Sequence, residues 1–167
     1  MQIPFVDVPT GPGALDPFKD ALGKTDVVLD AIFGFSFKPP VRPPFDGILS
    51  LLAELRDASS KINKTPIVSV DIPSGWDVET GPEGNDTVPS IWPNVLVSLT
   101  APKLGAAKFE GRHFLGGRFV PRYVLGPPGR SIAENCTRRV LEEKYNLNLP
   151  EYPGSSGIVE LPRAPRM

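Results

Sequence analysis

Two aspartates stand where a short apolar run gives way to turn chemistry: Asp30 in T-D-V-V-L-D-A-I-F-G (25–34) and Asp71 in P-I-V-S-V-D-I-P-S-G-W (66–76). A third apolar run, V-L-V-S-L-T (95–100), ends likewise in Ala101, Pro102 and Lys103. Ligands of open parallel α/β sheets bind outside the carboxyl ends of the strands. Three such ends would bring Asp30, Asp71, Ser74, Thr100 and Lys103 to one edge. Carboxylates, a hydroxyl and the loop Gly34, Phe35, Ser36, Phe37, Lys38 can together hold a polar, phosphate-bearing ligand, with Gly34 permitting close backbone approach. The same oxygens suit a hard monovalent cation. Asp30, the Ser74 hydroxyl and main-chain carbonyls favour potassium over zinc, since no Cys or His stands nearby.

Each residue also has a plainer reading. A buried Asp30 can be satisfied by neighbouring backbone amides. Lys38 and Lys103 are otherwise solvated lysines or phosphate contacts, and Ser36 can cap its own turn. Phe33, Phe35, Phe37 and Trp76 read as packing residues, and the single His113 as a surface or loop residue.

The elements that must position these groups are an α/β set. Residues 25–34 and 66–70 read as buried strands, rich in β-branched side chains. Between them, residues 46–62 form the clearest helix: Pro43 and Pro44 block an earlier start, Asp46 can cap, and Ile48, Leu51, Leu52, Leu55, Ala58 and Ile62 share a face. Strand, helix and strand in that order predict a right-handed crossover and a mainly parallel sheet, with both carboxylates at the same edge. Further expectations are a helical turn at 16–22, a surface excursion at 77–93, a strand at 95–100 and a short helix at 103–109. A strand at 114–120, a helix at 131–145 capped by Ser131 and Glu134, and a short strand at 157–161 complete the chain.

Composition narrows the classes. At 167 residues the chain has room for one ordinary core. Eighteen basic against 19 acidic residues give no field that argues for nucleic acid or an anionic membrane. No run is long enough to span a membrane, and Met1-Gln2-Ile3-Pro4 lacks the features of a secretory signal, so the chain reads as soluble. One cysteine, Cys136, excludes an internal disulfide framework and a multi-cysteine zinc site. The 21 prolines cluster near 4–17, 39–44, 121–128 and the C-terminus, marking loops between cleaner apolar segments.

Four motifs in order carry a resemblance: D-A-I-F-G-F-S-F-K (30–38), S-V-D-I-P-S-G-W-D-V (69–78), S-L-T-A-P-K (98–103) and L-G-G-R-F-V-P (115–121), followed by E-K-Y-N-L-N-L-P (143–150). They resemble the NAD(P)H-hydrate epimerases, the family built on the YjeF N-terminal domain. The resemblance implies a Rossmann-like three-layer αβα fold and interconversion of the R and S hydrates of NADH and NADPH, feeding a partner dehydratase. By position, Asp30 and Ser74 resemble potassium ligands. Gly34, Phe35, Ser36, Phe37, Lys38, Pro39 and Pro40 resemble the hydrate-binding loop, and Asp71 resembles a substrate contact. Reversible loss and return of a hydroxyl beside a ring nitrogen is helped by a positioned acid or base, a role this reading gives to Asp71. Family analogy adds a homodimer and a cytoplasmic or mitochondrial location.

The chain also departs from the pattern. The family's glycine-rich N-N-G-G-D-G loop is absent, and residues 1–5 resemble the middle of a member, so the expectation is an N-terminally truncated domain over 1–153 with a tail at 154–167. Residues 122–139 interrupt the pattern as an insertion, read as a retained short intron because Arg122-Tyr123-Val124 can be encoded through a splice-donor-like GTATGT. A genuine surface loop is the rival reading, and on the intron reading Cys136 has no function. The other functional classes weighed are a non-catalytic YjeF-like interaction module, as in messenger-RNA decapping enhancers, and an inactive fragment.

Overall fold

The computed structural model describes residues 5, 7, 13–38, 40–55, 65–82, 90–117, 148–154 and 156–162. Helix α1 (Asp16–Leu22) opens with Pro17 in its first turn, where a missing N–H costs nothing. Strand β1 (Val28–Asp30), helix α2 (Phe45–Glu54), strand β2 (Ile67–Val70), strand β3 (Val95–Leu99), a 3-10 turn (Leu104–Lys108), strand β4 (Arg112–Gly116) and strand β5 (Ile158–Glu160) follow. The strands lie in the order β1-β2-β3-β4-β5. The first four are parallel and β5 runs antiparallel to β4. This is the mainly parallel sheet of a Rossmann-like α/β fold, and it sets the ends of β1, β2 and β3 side by side.

Asn94 aligns the opposite ends of the strands. Its Oδ1 accepts from the Ile67 N–H at 2.8 Å, its own N–H donates to the Ile67 carbonyl, and its carbonyl accepts from the Arg112 N–H at 3.2 Å. Around the sheet, Leu49, Leu52 and Leu55 pack with Val41, Ile67 and Ile91, while Ile72, Trp76, Leu96, Ala106 and Phe109 form a second cluster. Trp76 is fully buried and its indole N–H donates to the Ile91 carbonyl at 2.7 Å, so it is a packing residue with its polar atom satisfied.

Several expected boundaries move. Strand β1 covers Val28–Asp30 rather than 25–34, because the backbone after Asp30 turns away to bond side chains at the end of β2. Helix α2 begins at Phe45, with Pro44 before it and no side-chain cap, so Asp46 lies inside the first turn instead of capping it. Strand β4 starts at Arg112 and ends at Gly116, earlier than the expected 114–120, and Gly117 follows with φ 47°. The expected continuation of α2 through 56–62, the insertion at 122–139 and the helix at 131–145 lie outside the described residues.

His113 is likewise not the surface or loop residue expected. It lies within β4, half-buried, with Nε2 at 2.8 Å from the Ser98 hydroxyl of β3 and its ring edge-on to Phe109. Burial lowers its pKa from the ordinary 6.5. The unfolded chain then binds that proton more readily, so the neutral-His contribution is full above about pH 6.5 and is lost as pH falls through the folded value. Melting temperature is expected to drop between about pH 7.5 and pH 5.5, and His113→Gln to flatten part of that slope. An unchanged slope would assign it to other groups.

Candidate functional site

Asp30 closes β1, 1% exposed. Its Oδ2 accepts from the Ser69 hydroxyl at 2.7 Å and from the Ser74 backbone N–H at 2.9 Å. The Ser74 hydroxyl oxygen in turn accepts from the Phe33 N–H at 2.9 Å. The turn after β2 thus folds back over the end of β1, which explains why β1 stops where it does. The other carboxylate oxygen, Oδ1, is buried with no hydrogen-bond partner. A buried acceptor left without a donor costs about 1–3 kcal/mol, an oxygen that a cation would satisfy. No cluster of three or more His, Cys, Asp or Glu suited to a metal occurs among the described residues. One carboxylate and one hydroxyl, oxygen donors only, fit a hard, weakly demanding ion and not zinc.

Asp71 follows β2 with φ 73°, and Thr100 follows β3 with φ 65°. Left-handed backbone at a residue other than glycine costs about 1–2 kcal/mol, less for Asp, and is kept where surrounding contacts hold it. Those contacts are present. The Asp71 N–H extends the ladder to the Val97 carbonyl at 2.8 Å. Its Oδ2 accepts from the Phe35 N–H at 2.9 Å, and its Oδ1 pairs with the Lys103 ammonium. Lys103 also donates to the Leu99 carbonyl at 3.1 Å and the Ala101 carbonyl at 3.4 Å. A Cβ on Gly34 would stand 3.2 Å from Asp71 Oδ2, so glycine there lets the loop close onto the carboxylate.

Above these groups opens a cavity of about 760 Å³, lined among others by Gly34, Phe35, Asp71, Thr100, Lys103 and Leu104. Its size is that of a small-molecule site. Phe35 and Leu104 are 71% and 75% exposed, two large apolar side chains offered to solvent beside a polar floor.

The sequence-predicted residues divide into three groups. Asp71, Gly34 and Phe35 line the cavity together with Thr100 and Lys103. Asp30 and Ser74 are buried behind it, joined through Phe33, which does line it. Ser36, Phe37, Lys38 and Pro40 are not in the lining: Ser36, Lys38 and Pro40 are exposed, and Phe37 stacks on Phe33 at 4.5 Å between ring centres. Pro39 lies outside the described residues. Sequence reasoning missed Ser69, the hydroxyl donor to Asp30. The only signal in the sequence was a serine inside the apolar run I-V-S-V, and the register of β1 against β2 then sets it beside Asp30. The Asp71–Lys103 pair was also missed, since 32 residues separate partners that only the parallel pairing brings together.

The family described as YjeF-related protein N-terminus matches residues 6–105. The chain is 46% identical over 159 residues to a NAD(P)H-hydrate epimerase of Cryptococcus neoformans var. neoformans serotype D, covering 89% of this chain and 55% of that protein. It is 51% identical over 144 residues to a NAD(P)H-hydrate epimerase of Puccinia graminis f. sp. tritici, covering 86% and 48%. Among solved structures, that of yeast ynu0, YNL200c, superposes with a TM-score of 0.62 at 37% identity, covering 86% of this chain and 51% of that one. The chain spans about half the length of the relatives it matches. The matched segment contains Asp30, Asp71, Ser74 and Lys103, and the chain belongs to the family of the YjeF-related protein N-terminus.

Proposed function

We propose that the strand-end cavity is the substrate site of a NAD(P)H-hydrate epimerase, an isomerase that interconverts the R and S hydrates of NADH and NADPH. The observation that carries the reading is Asp71, a carboxylate held in left-handed backbone at the cavity wall, with its side chain 13% exposed. Relatives carrying the epimerase name support it over most of this chain. The hydrated ring carries a hydroxyl on the carbon next to the ring nitrogen. As that C–O bond breaks, the nitrogen lone pair takes up the positive charge, and water returning to the opposite face inverts the centre. The Asp71 carboxylate, paired with the Lys103 ammonium, can take a proton from the water that adds to the cationic ring and release it to solvent, the hydroxyl having left as water with a proton from solvent. Phe35 and Leu104 offer apolar surface to the ring, and Gly34 is the loop residue that lets the backbone approach the nucleotide.

Asp30 and Ser74 would hold potassium, with the orphaned Asp30 Oδ1 as its anionic ligand. The ion would neutralise the buried carboxylate and fix the turn that carries Asp71. Coupling to an NAD(P)H-hydrate dehydratase, a homodimer, and placement in cytoplasm or mitochondrion belong to the same reading.

A melt of this chain, and of a form extended upstream to the length of its relatives, tests the site. NADP at ten times its Kd is expected to add about 1.4 kcal/mol, or roughly 3–6 °C, in potassium buffer. Absence of any gain in the extended form would overturn the reading.

A further inference from the structure

We propose that Lys103 is a positioning residue of this site and acts on the reaction only through Asp71. The inference rests on the epimerase reading and deepens it. An ammonium has three hydrogens to donate and no acceptor. Lys103 meets Asp71 Oδ1, the Leu99 carbonyl at 3.1 Å and the Ala101 carbonyl at 3.4 Å, so all three are directed to the protein's own oxygens. Although it lines the cavity, Lys103 has no hydrogen left for a phosphate, which is the role its sequence position invites.

Its three contacts also join the two strained strand ends. The Leu99 and Ala101 carbonyls flank Thr100 at φ 65°, and Asp71 lies at φ 73° on the neighbouring strand. One side chain therefore fixes the bend after β3 and the carboxylate after β2 relative to each other. The Phe35 N–H holds the opposite carboxylate oxygen at 2.9 Å, which leaves Asp71 clamped from both sides. A group that must meet a single hydroxyl gains chiefly from such orientation, and a misplacement of an ångström can cost 10²-fold. Arginine would not substitute, because its planar fork does not converge on three oxygens as an ammonium does.

The test is single-epimer conversion kinetics in the form extended to the length of the relatives. Wild type, Lys103→Met, Asp71→Asn and the double variant are compared, with melts to establish the folded fraction. Lys103→Met is expected to lower kcat about 100-fold with KM changed by less than about threefold, and the double variant to be no slower than Asp71→Asn alone. Should the Met variant not fold, Lys103→Arg carries the same test, with kcat expected about 10-fold lower at similar KM. A raised KM at unchanged kcat would make Lys103 a substrate contact. Unchanged kcat per folded molecule would make it structural only. Either result, or losses that multiply in the double variant, overturns the inference. No turnover by wild type overturns the epimerase reading and this inference with it, whereas wild-type turnover with an indifferent Lys103→Met overturns this inference alone.

Discussion

Asp71→Asn is expected to lower the rate of hydrate epimerisation by about 10²- to 10⁴-fold, the usual weight of a positioned acid or base. The substitution keeps the backbone and the loop contact and gives up the ion pair with Lys103. Asparagine tolerates left-handed backbone as aspartate does, so φ 73° remains accessible. Its amide oxygen can still accept from the Phe35 N–H, preserving the contact that closes the Gly34 loop. What disappears is the ion pair with Lys103 and a group able to exchange a proton with the reacting oxygen. The loss should therefore fall on kcat while nucleotide binding, read as a melting shift with NADP, persists. Epimerisation unchanged by Asp71→Asn would remove the residue from the mechanism.

The second large effect is on stability. Asp30→Ala strands the Ser69 hydroxyl and the Ser74 N–H, which now both point at one buried carboxylate oxygen. Two donors deprived of a charged acceptor predict a loss of about 2–4 kcal/mol, or a melting temperature lower by roughly 5–15 °C. The cation reading adds a sharper expectation. Wild type should melt higher in potassium than in choline buffer, while Asp30→Ala should melt at the same temperature in both. Equal wild-type melts in the two buffers would leave Asp30 Oδ1 without the ion proposed for it.

How much of this was legible beforehand follows from what local sequence encodes. β-branched runs ending in Asp30, Asp71 and Thr100 announced three parallel strands whose ends share one edge, because burial on both faces and turn chemistry are written within a few residues. The motif order carried the family as well. Long-range pairings were not written locally. That β1 stops at Asp30 depends on Ser74, 44 residues on, and the pairing of Lys103 with Asp71 depends on the register of β2 against β3. His113 was misread for the same reason: nothing around it announces Ser98 as a partner across a strand boundary. The left-handed backbone at Asp71 and Thr100 was invisible too, since residues other than glycine enter that region only when tertiary contacts hold them there.

The most direct measurement starts from one purified epimer of hydrated NADPH in potassium buffer and follows the other by chromatography, with and without the protein in the length of its relatives. Approach to the equilibrium mixture is expected to be much faster than in the protein-free control, and this acceleration to be lost in Asp71→Asn. Conversion at the control rate by folded, nucleotide-binding protein would contradict the epimerase reading.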